Sequence, residues 1–148
     1  EVFLMLEKIL VPIDGSEAAW HALEYASKLG EKFGSLITIV HVVQPHYTLP
    51  TIALHGEVPF LSVNIEEVES TGYKLIELAK AELNHYPNVE TLLEFGHPAE
   101  RILALTKNDT YNLIVIGSRG LSGISEFFLG SISATVSQYS TIPVMIVK

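Results

Sequence analysis

Residues Leu113–Ser131 read LIVIGSRGLSGISEFFLGS, and the passage from an apolar run into a glycine-spaced loop decides how the rest of the chain is read. Leu113-Ile114-Val115-Ile116 is short and has no polar face, as a strand buried on both sides requires. Gly117 ends the run, Gly120 follows after two residues, and Gly130-Ser131 follows after nine more. Leu129, Ile132 and Val136 then mark a helix that begins near Gly130. A glycine at a strand exit admits a positive φ and lets a ligand approach bare backbone. A helix entered through Gly130-Ser131 offers unpaired N–H groups and the positive end of its dipole, which suits phosphate. The same residues also read as three turn glycines and an N-cap serine, and both readings stand on this stretch alone.

Upstream, the pattern repeats. Glu7–Asp14, EKILVPID, carries Ile9-Leu10-Val11 and Ile13, a second doubly buried strand, and ends in Asp14-Gly15-Ser16. Ser16 is placed to cap a helix whose inner face is Ala19, Ala22, Leu23, Ala26 and Phe33, with Gly34 closing it. Leu36–Val43 is the next strand. Gln44–Ser62 contains Pro45, Pro50, Pro59 and Gly56 and no sustained period, which inside a compact domain reads as a lid, a binding loop or a mobile segment. Helical spacing returns from about Asn64 to His85 through Val68, Leu75, Ile76, Ala79 and Leu83, and the cluster Glu66, Glu67, Glu69 reads as a solvated face. Val89–Phe95 is a weaker strand. A helix starts at Pro98 with Ile102, Leu103 and Leu105 inward, and Val144–Val147 is a last strand.

Strands alternating with helices give an α/β fold, a doubly wound parallel sheet with helices on both faces. Ligands in such sheets sit beyond the carboxyl ends of the strands, where the winding reverses. With five strands the expected order is 3-2-1-4-5, which sets Asp14, at the end of the first strand, beside Gly117, at the end of the fourth.

Bulk composition narrows the function. The length of 148 residues fits one domain, assigned to residues 5–148, with Met5 read as an initiator and Glu1–Leu4 as an upstream extension or expression remnant. A net charge of −8, with nine Lys and Arg in no run, argues against nucleic acid or an anionic membrane as partner. An anionic ligand would rely on backbone N–H groups. Cysteine is absent, which excludes disulfides, thiolate catalysis and Cys-based zinc sites. No apolar run reaches about 18 residues and no signal peptide is recognisable, so the expected compartment is the cytoplasm.

The sequence contains no G-x-G-x-x-G, no Walker A loop and no G-x-S-x-G elbow. His41 lies in a strand and reads as a satisfied core histidine; His46 and His55 fall in the long loop and read as surface residues. Asp14 is more telling, because the chain has fifteen glutamates and only two aspartates. It reads either as an Asx turn joining strand to helix, or as an acceptor for a ribose hydroxyl or a support for a phosphate-bound cation.

The segments IDGSE, HVV, GHPAERIL and IGSRGLSGISEFFLGS, in that order, resemble the universal stress protein family from Lys8 to Lys148. The G-x2-G-x9-G-S element is the most specific part of the likeness and marks the ATP-binding members. The resemblance implies that Pro12, Ile13 and Asp14 line an adenosine pocket and that Val42 contacts adenine through its backbone. Ile116 and Gly117 would lie along the nucleoside, and Arg119 and Gly120 would approach the phosphates. Gly130, Ser131, Ile132 and Ser133 would hold those phosphates, with both serine hydroxyls as donors. It also implies Mg²⁺ or Mn²⁺ carried with ATP, with Asp14 as the nearby carboxylate, and a homodimer formed by antiparallel pairing of Val144–Val147. Three functions follow from these residues: an ATP-binding regulatory module acting on a protein partner of unknown identity, a slow ATPase, or a nucleotide-free homodimeric interaction protein.

Overall fold

A computed structural model describes residues 6–45, 65–120 and 129–148. In chain order the elements are β1 (Lys8–Pro12), α1 (Glu17–Phe33), β2 (Leu36–Val43), α2 (Ile65–Glu82), β3 (Val89–Phe95), α3 (Pro98–Asn108), β4 (Leu113–Gly117), α4 (Ser131–Tyr139) and β5 (Val144–Val147). The strands form one parallel five-stranded sheet in the order β3-β2-β1-β4-β5, as expected. Most of the long loop, with His46 and His55, lies outside the described residues, as do Glu1–Leu4.

The apolar runs of the central strands are explained by two cores. Successive side chains point to opposite faces. Ile9, Val11, Ile37, Ile39 and Val115 face one layer, where Ala22, Leu23 and Ala26 of α1 and Ala79 of α2 cover them. Leu10, Val40, Ile114 and Ile116 face the other, under Ala99 and Ile102 of α3 and Val136 of α4. Ser16 caps α1, its Oγ accepting from Ala19 N at 3.2 Å, and Gly34 closes the helix with φ +72°.

Three side chains depart from the sequence reading. Phe33 is 54% exposed, because the inner face at that end of α1 is closed at Gly30, against which Ile37 and Tyr86 pack. Leu103 sits half-buried at the margin of the stripe formed by Ala99, Ile102 and Thr106. Leu129 precedes the N-cap and is exposed, so it is not part of the α4 face.

At the amino ends of the strands, Asn112 Oδ1 accepts from Glu7 N (2.9 Å) and Lys8 N (2.8 Å), tying β4 to β1. Lys8 Nζ pairs with Asp109 and with Glu90 (3.3 Å) and lies 4.7 Å from the centre of the Tyr111 ring.

Candidate functional site

Because β1 has β2 on one side and β4 on the other, the chain winds away from it in both directions, and a crevice opens beyond the carboxyl ends of β1 and β4. The crevice holds a cavity of about 750 Å³, within the range of small-molecule sites. Pro12, Ile13, Asp14, Val42, Ile116, Gly117, Arg119, Gly120, Gly130, Ser131, Ile132 and Ser133 all line it. The structure therefore brings these twelve residues, the expected nucleotide site, to one concavity. An open trough of about 760 Å³ runs along α2 from Glu66 to Leu78, and among the described residues only that helix lines it.

One end of the cavity is a strand edge. Ile13 N donates to Val40 O at 2.8 Å, the last main-chain bond between the β1 segment and β2. Main-chain groups alternate sides along a strand, so Val42 presents its N–H and C=O on the same side as Val40, beyond the point where β1 leaves. The other end is the start of α4. Gly130 is its N-cap, with no side-chain cap bond, and Ala134 N is the donor that reaches Gly130 O, at 2.9 Å. The N–H groups of Ser131, Ile132 and Ser133 therefore have no intrahelical acceptor, and the positive end of the helix dipole faces the cavity.

Asp14 makes the Asx turn read for it with one oxygen and leaves the other outside the turn. Oδ1 accepts from Ser16 N at 2.9 Å, an Asx turn that leads into α1. Oδ2 lies toward Gly120, where a Cβ would stand 2.9 Å away. The loop is held to the same turn by Ser16 Oγ, which donates to Arg119 O at 3.2 Å.

The glycines work differently from the sequence expectation. Gly15, Gly34 and Gly96 have positive φ; Gly117, Gly120 and Gly130 do not. Gly117 is required by close packing, since a Cβ there would meet Ala18 C at 2.7 Å and Ala19 N at 2.8 Å in the first turn of α1. Gly130 sits against the loop it closes, with its N–H on Ser118 O at 2.7 Å. Ser131 is the first helical residue and not the N-cap. The two serine hydroxyls are also unequal: Ser133 Oγ is buried and directed at Ser118 O and Gly130 O, both at 3.0 Å. Only the exposed hydroxyl of Ser131 is left for a ligand.

Among the described residues, no cluster of three or more His, Cys, Asp or Glu side chains could hold a metal ion. Asp14 is the only carboxylate lining the cavity there, and its Oδ2 is the one oxygen outside the turn. This donor set fits a cation that arrives on phosphate oxygens and completes its shell with water, not a resident metal.

Sequence reasoning missed the roof. Val68, Thr71 and Gly72 of α2 line the cavity, as do His41 and Gln44. Gly72 lets α2 lie close to the sheet, since a Cβ there would meet Leu93 Cδ1 at 2.9 Å and Val43 Cγ2 at 3.1 Å. His41 is satisfied as expected, with Nδ1 at 2.8 Å from Ile13 O, but it is half-buried at the cavity wall. Among the described residues no helix is long and apolar enough to cross a membrane.

A family model described as the universal stress protein family matches residues 5–148. Universal stress protein YxiE of Bacillus subtilis is 39% identical over 149 aligned residues, covering 97% of this chain and 100% of that protein. Among solved structures, a universal stress protein in complex with cAMP superimposes with a TM-score of 0.72 at 21% identity, over 97% of both chains. The universal stress protein from Archaeoglobus fulgidus in complex with dAMP gives a TM-score of 0.62 at 21% identity, over 97% of this chain and 99% of that one. At these identities the two structures establish a common fold.

Proposed function

The chain belongs to the universal stress protein family, and from that premise we propose that it binds an adenine nucleotide in the crevice between β1 and β4. ATP with Mg²⁺ or Mn²⁺ is the expected form, and the protein acts as a nucleotide-dependent regulatory module. The observation that carries the reading is the polarity of the cavity. A donor–acceptor strand edge at Val42 suits a base, and the N–H groups of α4 that have no intrahelical acceptor, with Arg119, suit phosphates. The cAMP and dAMP complexes of the two fold neighbours support an adenine nucleotide.

The role is binding and not hydrolysis. Among the described residues Asp14 is the only carboxylate at the cavity, and one of its two oxygens is committed to the Asx turn, which makes a poor set of groups for orienting an attacking water. Regulation then requires that nucleotide bind two conformations with unequal affinity, so that occupancy shifts the surface offered to a partner. The test is mass spectrometry of whatever the purified protein releases on denaturation, followed by titration of the stripped protein with ATP, ADP, AMP and cAMP. Release of an adenine nucleotide, or its specific binding, supports the reading. A protein that releases none and binds none is the nucleotide-free module instead.

A further inference from the structure

We infer that His41 is a positioning residue, which ends the β1–β2 ladder one bond early and so leaves the amide of Val42 open to the cavity. In a parallel pair every second residue aims its main-chain groups at the same neighbour. Val40 O accepts from Ile13 N and so faces the β1 side, whereas Val43 O accepts from Gly96 N on the β3 side. Val42 therefore faces β1, and the next bond of a regular ladder would run from Val42 N to Ile13 O. That bond is not made. The register stops at Pro12 and Val40, and the Ile13 carbonyl is taken at 2.8 Å by His41 Nδ1. A carbonyl only accepts, so this nitrogen carries the proton. α2 comes close behind the ring, since a Cβ on Gly72 would lie 3.3 Å from its Cδ2.

A main-chain N–H left without a partner away from water costs free energy comparable to a lost hydrogen bond, and folds seldom keep one. Val42 lines the cavity, and among the described residues neither its N–H nor its C=O finds a main-chain partner on the β1 side. Together they form one donor and one acceptor on a flat edge, the complement of a heterocycle that carries a ring nitrogen acceptor next to an exocyclic amine. That ligand assignment rests on the adenine-nucleotide reading above. The opening of the edge by His41 does not.

Amide exchange followed by NMR on the ligand-free protein separates the two claims. Val42 is expected to exchange at least about tenfold faster than Val40, the difference that one ladder bond makes. In His41→Leu the Ile13 carbonyl is released, Val42 N–H closes on it, and Val42 slows to the rate of Val40. Affinity for adenosine then falls about tenfold, while affinity for inorganic tripolyphosphate, held at α4, stays the same. His41→Asn, which keeps an N–H near the Nδ1 position, restores both. A Val42 amide as protected as Val40 in the wild type overturns the inference, as does a His41→Leu protein in which Val42 exchange is unmoved. If His41→Leu does not fold, the wild-type contrast and His41→Asn decide the matter. Failure of the wild type to bind adenosine or ATP sinks the proposed function and leaves the exchange result standing.

Discussion

The carboxylate of Asp14 occupies the space that a side chain on Gly120 would need, so that a Cβ there would lie 2.9 Å from Asp14 Oδ2. The other oxygen is fixed by Ser16 N, which limits how far the side chain can turn away. Asp14→Ala removes the turn bond from Ser16 N and the carboxylate at the cavity, and should weaken ATP by about 1.5–3 kcal/mol, the range for a hydrogen bond to a charged group, with some loss of stability. Asp14→Asn keeps an acceptor for the turn and removes the charge. It should therefore lose affinity while melting close to the wild type. Calorimetric titration paired with thermal melts checks this, and unchanged ATP affinity in folded Asp14→Ala would reduce Asp14 to a turn residue.

Gly117 should behave in the opposite way. Its missing side chain faces main-chain atoms of Ala18 and Ala19, which cannot rotate aside as a carboxylate can. Gly117→Ala should push β4 from α1 and destabilise the fold by about 1–3 kcal/mol, as overpacked sites do. Urea denaturation measures it. Wild-type stability in this variant would mean that the close approach of β4 to α1 is not a constraint.

Much of this was legible in the chain, for identifiable reasons. Strand runs such as Leu36–Val43 have no polar face because two helical layers cover the sheet, and Ser16 and Gly34 mark the ends of α1 by chemistry that acts within a few residues. The gathering of Asp14, Gly117 and Gly130 follows from the winding order alone. What stayed hidden depends on contacts between distant segments. Gly72 reveals itself only against Val43 and Leu93, and the use of Gly117 only against Ala18. Phe33 and Leu129 fit an apolar spacing but lie where the elements end, a boundary that periodicity locates poorly.

At the amino end of the sheet, Lys8 sets a pH dependence that has nothing to do with the cavity. Its hydrogen bond to Asp109, opposed by burial and aided by Glu90, raises the ammonium from 10.5 to about 12. The same bond holds the Asp109 carboxyl below its ordinary value. Because the folded value for Lys8 is the higher one, its stabilisation is whole below pH 10.5 and is lost as pH rises through about 12. For Asp109 the sign reverses: its stabilisation is present above its ordinary value and is lost as pH falls through the lower folded one. Lys8→Met should therefore be less stable than wild type by a constant margin across neutral pH, and that margin should shrink between pH 10.5 and about 12. Urea denaturation across this window checks it, and a margin independent of pH would show that Lys8 acts through its aliphatic stem.

Nucleotide binding should appear as stability. At 100 times its dissociation constant ATP contributes about 2.7 kcal/mol, and for a chain of this size the melting temperature should rise by roughly 5–10 °C. Gly130→Val should abolish the rise, since its Cβ would lie 3.3 Å from Arg119 Cα and 3.4 Å from Ser118 O, with the branch pressing where phosphates approach. Ser131→Ala should reduce it in part, because the N–H groups of α4 remain. Arg119→Ala should reduce it most at low salt, where a partly exposed charge is least screened. A stripped wild-type protein that shows no shift with ATP and Mg²⁺ overturns all three.

The last prediction concerns assembly. β5 is an edge of the sheet. Pro143 O and Val147 O accept from Ile114 N and Ser118 N, so the odd-numbered residues face β4. Val144 and Ile146 consequently turn their N–H and C=O groups outward, an edge that among the described residues has no partner and that invites a second strand. We propose that a second copy of the chain pairs there in antiparallel fashion, giving a homodimer. Ile146→Pro removes an outward N–H and leaves the ladder to β4 intact, so it should yield a folded monomer. Met145→Pro, by contrast, removes a donor on the β4 side and should destabilise the fold itself. Sedimentation velocity at micromolar concentration, with circular dichroism to check folding, distinguishes the cases. A monomeric wild type, or a dimer that survives Ile146→Pro, would show that this edge does not hold the assembly.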